Sequence, residues 1–256
     1  MWTETHLFEQ PVNEHIRLCL RLEHLFRQAM ENVQGTSTWS SRLAIAALID
    51  ILNLLDRPDL KTKLTKELSR HLVTFSRLEK TPHIDTTKLS VVLLELEELV
   101  DLLHGTSGKF GQELRNSDFL NTIRQHLPTA GGACGFDTPA FHLWLEQPTV
   151  DRIANLAHWL QSFETIYAAA TLLLRLTRQS SPPQIKTALN GFYQNTLDPQ
   201  APCQLVRVAI PGELKLYPEI SVGRHGVCIR FFPLTLGERQ PPVTDDVIFQ
   251  LTTCIL

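Results

Sequence analysis

A change of hydrophobic period at about residue 180 constrains this chain more than any other feature. Before it, apolar residues recur at spacings of three and four, the period of an amphipathic helix. After it they alternate in short stretches bounded by Pro and Gly, the period of a strand. Helices first and strands second predict an α+β chain: an N-terminal helical bundle at residues 1–183, then a smaller, mostly antiparallel β domain at 184–256. The 256 residues are 43% hydrophobic, enough to fill a core, which excludes fibrous and disordered chains.

In the helical part, Pro11 and Asn13 form a helix entry. Val12, Ile16, Cys19, Leu22, Phe26, Ala29 and Val33 then mark one apolar face up to Gly35. Ser40 or Ser41 can cap a second helix, and its residues Leu43 to Leu55 are apolar on nearly every side, so other helices or a second subunit must cover it. Pro58 ends it. A basic helix follows from Asp59 to Glu79, carrying Lys61, Lys63, Lys66, Arg70 and Arg77, with Leu60, Leu64, Leu68 and Phe75 as its core edge. The acidic segment Ile84 to Leu103 repeats Leu89, Leu93, Leu96, Val100 and Leu103 and is predicted to pack on it as an antiparallel hairpin. Ile153, Leu156, Leu160, Phe163, Tyr167, Ala170 and Leu174 predict one continuous seam, used inside the bundle or against a second copy. That seam and Leu43 to Leu55 compete for a subunit interface.

Beyond Pro182-Pro183 the strands are predicted at Thr187 to Gln194, Gln204 to Ile210, Leu214 to Ser221, Val227 to Leu234 and Val247 to Thr253. Turns are predicted at Asp198-Pro199, Pro211-Gly212 and Gly223 to Gly226. Short connections favour a five-stranded antiparallel sheet, and Thr5 to Glu9 is a candidate additional strand. In the fourth stretch Val227, Ile229 and Phe231 share one face, while Cys228, Arg230 and Phe232 share the other, a face that can be half wet.

No constellation of catalytic residues stands out. The loop Gly131-Gly132-Ala133-Cys134-Gly135-Phe136-Asp137 lacks the lysine and preceding strand of a phosphate loop. Cys134, His142 and Asp137 are the residue types of a cysteine hydrolase, but Asp137-Thr138-Pro139 reads first as a helix start, with Asp137 or Thr138 as the cap. The histidines show no metal spacing, and Glu14-His15 and Glu23-His24 read as surface pairs. Trp144 and Trp159 read as core or interface. Five cysteines without CxxC spacing suit reduced, buried thiols. No metal, cofactor or small-molecule substrate is expected. A formal charge of -3 argues against a nucleic-acid binder, no stretch reaches the roughly 18 apolar residues of a membrane span, and the N-terminus has no secretory pattern, so a cytoplasmic protein is expected. Two local basic features remain, Arg57 with the lysines after it, and the turn holding Arg224 and His225 followed by Arg230. Ordinary solvated surface is the plain reading of both. An arginine beside Phe232 on a sheet face also suits a short peptide carrying carboxylates and apolar anchors.

Six strings in order across most of the chain resemble the ZapD family of bacterial cell-division proteins. They are Leu7-Phe8-Glu9-Gln10-Pro11 with Asn13-Glu14 and Arg17, and Gly131-Gly132 with Phe136-Asp137-x-Pro139-x-x-His142-x-Trp144-Leu145. Arg178-Gln179-Ser180 and Leu189-Asn190-Gly191-Phe192-Tyr193-Gln194 follow. The last two are Leu216-Tyr217-Pro218-Glu219-Ile220-Ser221 and Ile229-Arg230-Phe231-x-Pro233-Leu234. The resemblance implies a cytoplasmic, non-enzymatic homodimer at the mid-cell division ring. It implies binding to the C-terminal tail of the tubulin-like GTPase FtsZ and cross-linking of its filaments, through a basic site formed between the helical and β domains. By motif position the site residues are Arg57 and Arg230. The family has a further arginine where this chain has Gly226, and Arg224 or His225 is a candidate to replace it. If His225 takes part, binding strengthens as pH falls through its titration range. The alternatives are a hydrolase centred on Cys134 and another cytoplasmic protein-interaction module.

Overall fold

A computed structural model of the chain describes residues 4–57, 59–79, 85–106, 108–198, 200–223, 226–238 and 240–255. The expectations at Pro58, Ile84, Pro199, Arg224 and His225 lie outside these residues. The fold is α+β, with antiparallel sheets in the C-terminal part. The described residues include helices α1 (Glu14–Val33), α2 (Thr38–Leu54), α3 (Leu60–Leu78), α4 (Thr86–Gly105), α5 (Gln112–Arg115), α6 (Asp118–His126), α7 (Pro139–Leu145), α8 (Thr149–Gln161) and α9 (Glu164–Gln179). The strands are β1 (Thr5–Pro11), β2 (Gln184–Ala188), β3 (Phe192–Thr196), β4 (Cys203–Pro211), β5 (Leu216–Gly223), β6 (Gly226–Pro233) and β7 (Val247–Ile255). None of the described helices is long and apolar enough to cross a membrane.

By compactness the chain divides into two units, Met1–Leu18 with Leu173–Leu256, and Cys19–Leu172. The limits fall inside α1 and α9, so packing and secondary structure divide the chain at different places. The first unit is a β-sandwich. One sheet has the order β1-β4-β7-β2 and the other β3-β6-β5. Val206, Val208, Ile210, Phe249 and Leu251 of one sheet meet Val227, Ile229 and Phe231 of the other in a single core. The candidate strand near the N-terminus is present as β1, which pairs antiparallel with β4 over its whole length.

Two sheets replace the single five-stranded sheet expected. The stretch Thr187 to Gln194 does not run straight: it ends one strand at Ala188 and starts another at Phe192, in the other sheet. Asn190 and Gly191 both take positive φ between them, 50° and 70°. A Cβ on Gly191 would lie 2.2 Å from the Val243 carbonyl oxygen, so this corner accepts no side chain there.

In the second unit α2 is central. Ala44, Ile45, Ala47, Leu48, Ile49, Ile51 and Leu52 are all buried, so its all-round apolar surface is largely covered within the chain. Its cap is Ser37, whose Oγ accepts the Ser40 N–H at 3.0 Å, one turn earlier than the Ser40 or Ser41 expected. Asn13 caps α1 through Oδ1 to the Ile16 N–H at 2.9 Å, and Val12, outside the helix, packs instead on the sandwich core. The α3–α4 hairpin forms as expected, with Leu99 rather than Val100 fully buried and Phe75 half-buried. The seam from Ile153 to Leu174 is two helices, not one. The backbone turns at Ser162, and the Phe163 N–H bonds the Leu160 carbonyl at 3.0 Å, so the buried Phe163 ring enters the core from between α8 and α9.

Arg152 shows how this unit places a buried charge. It is 4% exposed and donates to the Ser37 and Thr36 carbonyls, the Gln147 carbonyl, Thr149 Oγ1 and Ser41 Oγ. Neutral oxygens around every face of the guanidinium replace the water it lost.

Candidate functional site

Strand β6 is the middle of the three-stranded sheet, so its residues are flanked on both sides. Its alternation buries Val227, Ile229 and Phe231 completely and turns Cys228, Arg230 and Phe232 to the other face. That face is half wet, as its pattern predicts. Arg230 is exposed, Cys228 is half-buried and Phe232 is 5% exposed, stacked on Tyr217 with ring centroids 5.6 Å apart. The register sets Phe192 of β3 opposite Arg230 on one side and Glu219 of β5 opposite it on the other. The Arg230 guanidinium carbon lies 5.5 Å from the Phe192 ring centroid, a cation–π contact. The face therefore presents the exposed Arg230 cation in an aromatic setting.

Arg57 belongs to the other unit. It is exposed, in the short connection from α2 to α3, and its carbonyl accepts the Leu60 N–H. Asp56 beside it takes ion pairs from Arg115 and Arg124. Arg115 also donates to the Leu52 and Phe110 carbonyls, which ties the connection to α5 and to the end of α2. Partial burial pulls the Asp56 carboxyl upward in pKa, but the Arg124 hydrogen bond and the charges of Arg115, Arg124 and Lys109 outweigh it and hold it below the usual carboxylate range. Lys109, Arg115 and Arg124 add positive charge around Asp56, next to Arg57 in the sequence. Lys61 bonds the Thr106 carbonyl, and Lys63 pairs with Asp59 at 2.5 Å. No spacing in the sequence marks Lys109, Arg115 or Arg124, because they join Asp56 only through the fold.

The loop around Cys134 is built for packing. A Cβ on Gly132 would sit 1.8 Å from the His126 carbonyl oxygen, and Ala133 holds a positive φ of 58° while 1% exposed. Arg42 secures it, donating to the Ala133 carbonyl at 3.0 Å with its guanidinium over the rings of Trp39 and Phe141. The Cys134 thiol donates to the Gly131 carbonyl at 2.6 Å. Thr138 is the residue before α7 and Pro139 lies in the first turn, but the Thr138 hydroxyl bonds the Cys134 carbonyl rather than capping the helix. Glu14 and Glu23 also pair with Arg17 and Arg27, one turn along the helix. Trp144 and Trp159 stack at 5.8 Å within a cluster that includes Phe119 and Phe141.

A family model described as ZapD, cell division protein, matches residues 20–230. The chain belongs to the ZapD family. It is 42% identical over 256 residues to the cell division protein ZapD of Coxiella burnetii, covering 99% of both chains. Against the ZapD of Methylococcus capsulatus it is 38% identical over 250 residues, 98% of both chains. Against that of Photobacterium profundum it is 35% identical over 254 residues, 98% of this chain and 100% of the other. The chain is thus a cell-division factor of ZapD type along essentially its full length. Several of the ZapD-like strings have structural work: Glu9 of the first accepts Arg178 of another, and Gly132 and Gly191 fill corners that exclude side chains.

Proposed function

We propose that this cell-division factor is a non-enzymatic, cytoplasmic homodimer that binds the C-terminal tail of FtsZ and cross-links FtsZ filaments at the mid-cell ring. Within the family assignment, the observation that carries the reading is the exposed guanidinium of Arg230 on an aromatic sheet face. A carboxylate-bearing peptide gains a charge-assisted hydrogen bond there and an apolar wall beside it. Arg57, exposed and next in sequence to Asp56, supplies a second cation for an acidic tail. Two copies related by a two-fold axis carry two tail sites, which suffices to bridge filaments, and avidity along a polymer compensates for weak single sites.

The test is titration of the full chain with a fluorescent peptide copying the FtsZ C-terminal tail at two salt concentrations. Saturable binding that weakens with salt is the expected outcome. Absence of binding at both salts would sink the reading. Sedimentation of the chain alone checks the dimer, and a monomer across the bundling concentration range would remove the cross-linking geometry. Of the two candidates for the missing family arginine, Arg224→Ala is expected to weaken binding at all pH values. His225→Ala removes only the strengthening seen below the histidine range.

A further inference from the structure

We propose that Phe192 is a second recognition residue beside Arg230, and that this face selects a peptide in which a carboxylate and an apolar side chain are neighbours. The inference rests on the tail-binding reading above and states how the tail is recognised. Phe192 opens the edge strand β3 and is 39% exposed, whereas Phe231 on the facing strand is 0% exposed. Such a ring contributes little to the sandwich core, and its defined contact on this face is the Arg230 guanidinium at 5.5 Å.

That contact has two consequences. A guanidinium lying over a ring keeps the N–H donors around its rim available, so it still accepts a carboxylate fork-on, and its side-chain freedom is already reduced before the ligand arrives. The exposed part of the ring then offers the nearest apolar surface to that carboxylate. Glu219 lies opposite Arg230 on the other flanking strand, and its negative charge disfavours a ligand carboxylate on that side. The approach left to the carboxylate is the Phe192 side, next to the apolar wall. A nucleic acid, with a charge at every phosphate, meets a chain of formal charge -3 with Glu219 beside Arg230, which is why the acidic and apolar peptide is the better occupant.

The experiment uses the full chain and two peptides, one copying the FtsZ tail and one in which the apolar residues flanking its carboxylates are serine. For the tail peptide, Phe192→Ala is expected to weaken binding about fivefold and Phe192→Tyr less than about twofold, in line with a cation–π contact plus lost apolar area. The double variant with Arg230→Ala should lose less than the product of the two single losses, since the residues act together. For the serine peptide the Phe192→Ala effect should shrink towards onefold, a dependence on ligand that a purely structural role does not produce. If Phe192→Ala unfolds, Phe192→Leu, which keeps an apolar side chain and removes the ring, is read in its place, with a smaller expected loss of about twofold from the cation–π contact alone. Tail binding equal to wild type in the ring-less variant, or an equal loss on both peptides, would overturn the inference while leaving the tail-binding reading intact. Failure of the wild-type chain to bind the tail peptide would overturn both.

Discussion

The two outer faces of the β-sandwich use arginine in opposite ways. On the four-stranded face, Glu9 of β1 accepts both donors of an Arg178 fork at 2.9 and 2.6 Å and the Arg207 Nε at 2.9 Å. These side chains are only 16–24% exposed, and the carboxylate of the chain itself closes both forks. On the three-stranded face, Arg230 is exposed and rests on the Phe192 ring. The same side chain is a fastener where an internal carboxylate meets it and, on the function proposed above, a docking point where an aromatic ring carries it. The difference lies in the neighbour, since a ring stabilises a cation without occupying its in-plane donors.

The strongest way to break this contrast is to remove the internal carboxylate. Glu9→Ala takes a shared carboxylate from two partly buried guanidinium groups and should lower stability by about 2–4 kcal/mol in urea unfolding, while the folded fraction still binds the FtsZ tail peptide with wild-type affinity. Arg230→Ala is the mirror image. It should cost about 1.5–3 kcal/mol in tail affinity, roughly tenfold or more, with unfolding stability unchanged to within about 0.5 kcal/mol. A loss of stability comparable to that of Glu9→Ala would show that Arg230 is a fastener too.

A milder version of the Glu9 arrangement exists in the helical unit, where Asp56 is shared by Arg115 and Arg124 but is 38% exposed. Its folded pKa is depressed, so its stabilisation is fully present above the ordinary aspartate value of about 3.9 and is lost as pH falls from there through the lower folded value. Acid unfolding curves should therefore show less pH dependence below about pH 4 in Asp56→Asn than in wild type, and identical slopes would refute the shared-carboxylate role. The smallest expected effect is at Glu219. Replacing it by Gln removes, from beside Arg230, a charge of the same sign as the ligand carboxylate and should tighten tail binding by about twofold at low salt, fading as salt screens it. Weaker binding would mean that Glu219 helps to hold the ligand.

Thiol reactivity separates the cysteines along the same line of burial. Desolvation pushes Cys19 up to about 12 and Cys254 up to about 11, so both should resist alkylation in the native chain at pH 7.5. Labelling of either at the rate seen in denaturant would show that the core opens readily.

Much of the local structure was legible along the chain. The three-four periods placed α1, α3 and α4, and the alternation Val227, Ile229, Phe231 against Cys228, Arg230, Phe232 put Arg230 on the open face of β6. Periodicity is a property of one backbone segment, and burial of one face is the lowest-energy use of it, so these features need no knowledge of the neighbour. Tertiary structure alone decided the rest. It split Thr187 to Gln194 between two sheets at Asn190-Gly191, broke the Ile153 to Leu174 seam at Ser162, and brought Arg115 and Arg124 to Asp56. It also set Phe192 against Arg230, a pairing that depends on strand register and not on any spacing between the two residues. Which residues become neighbours is chosen by long-range packing of the sandwich core, and for that reason the cation was visible in the sequence while the ring beneath it was not.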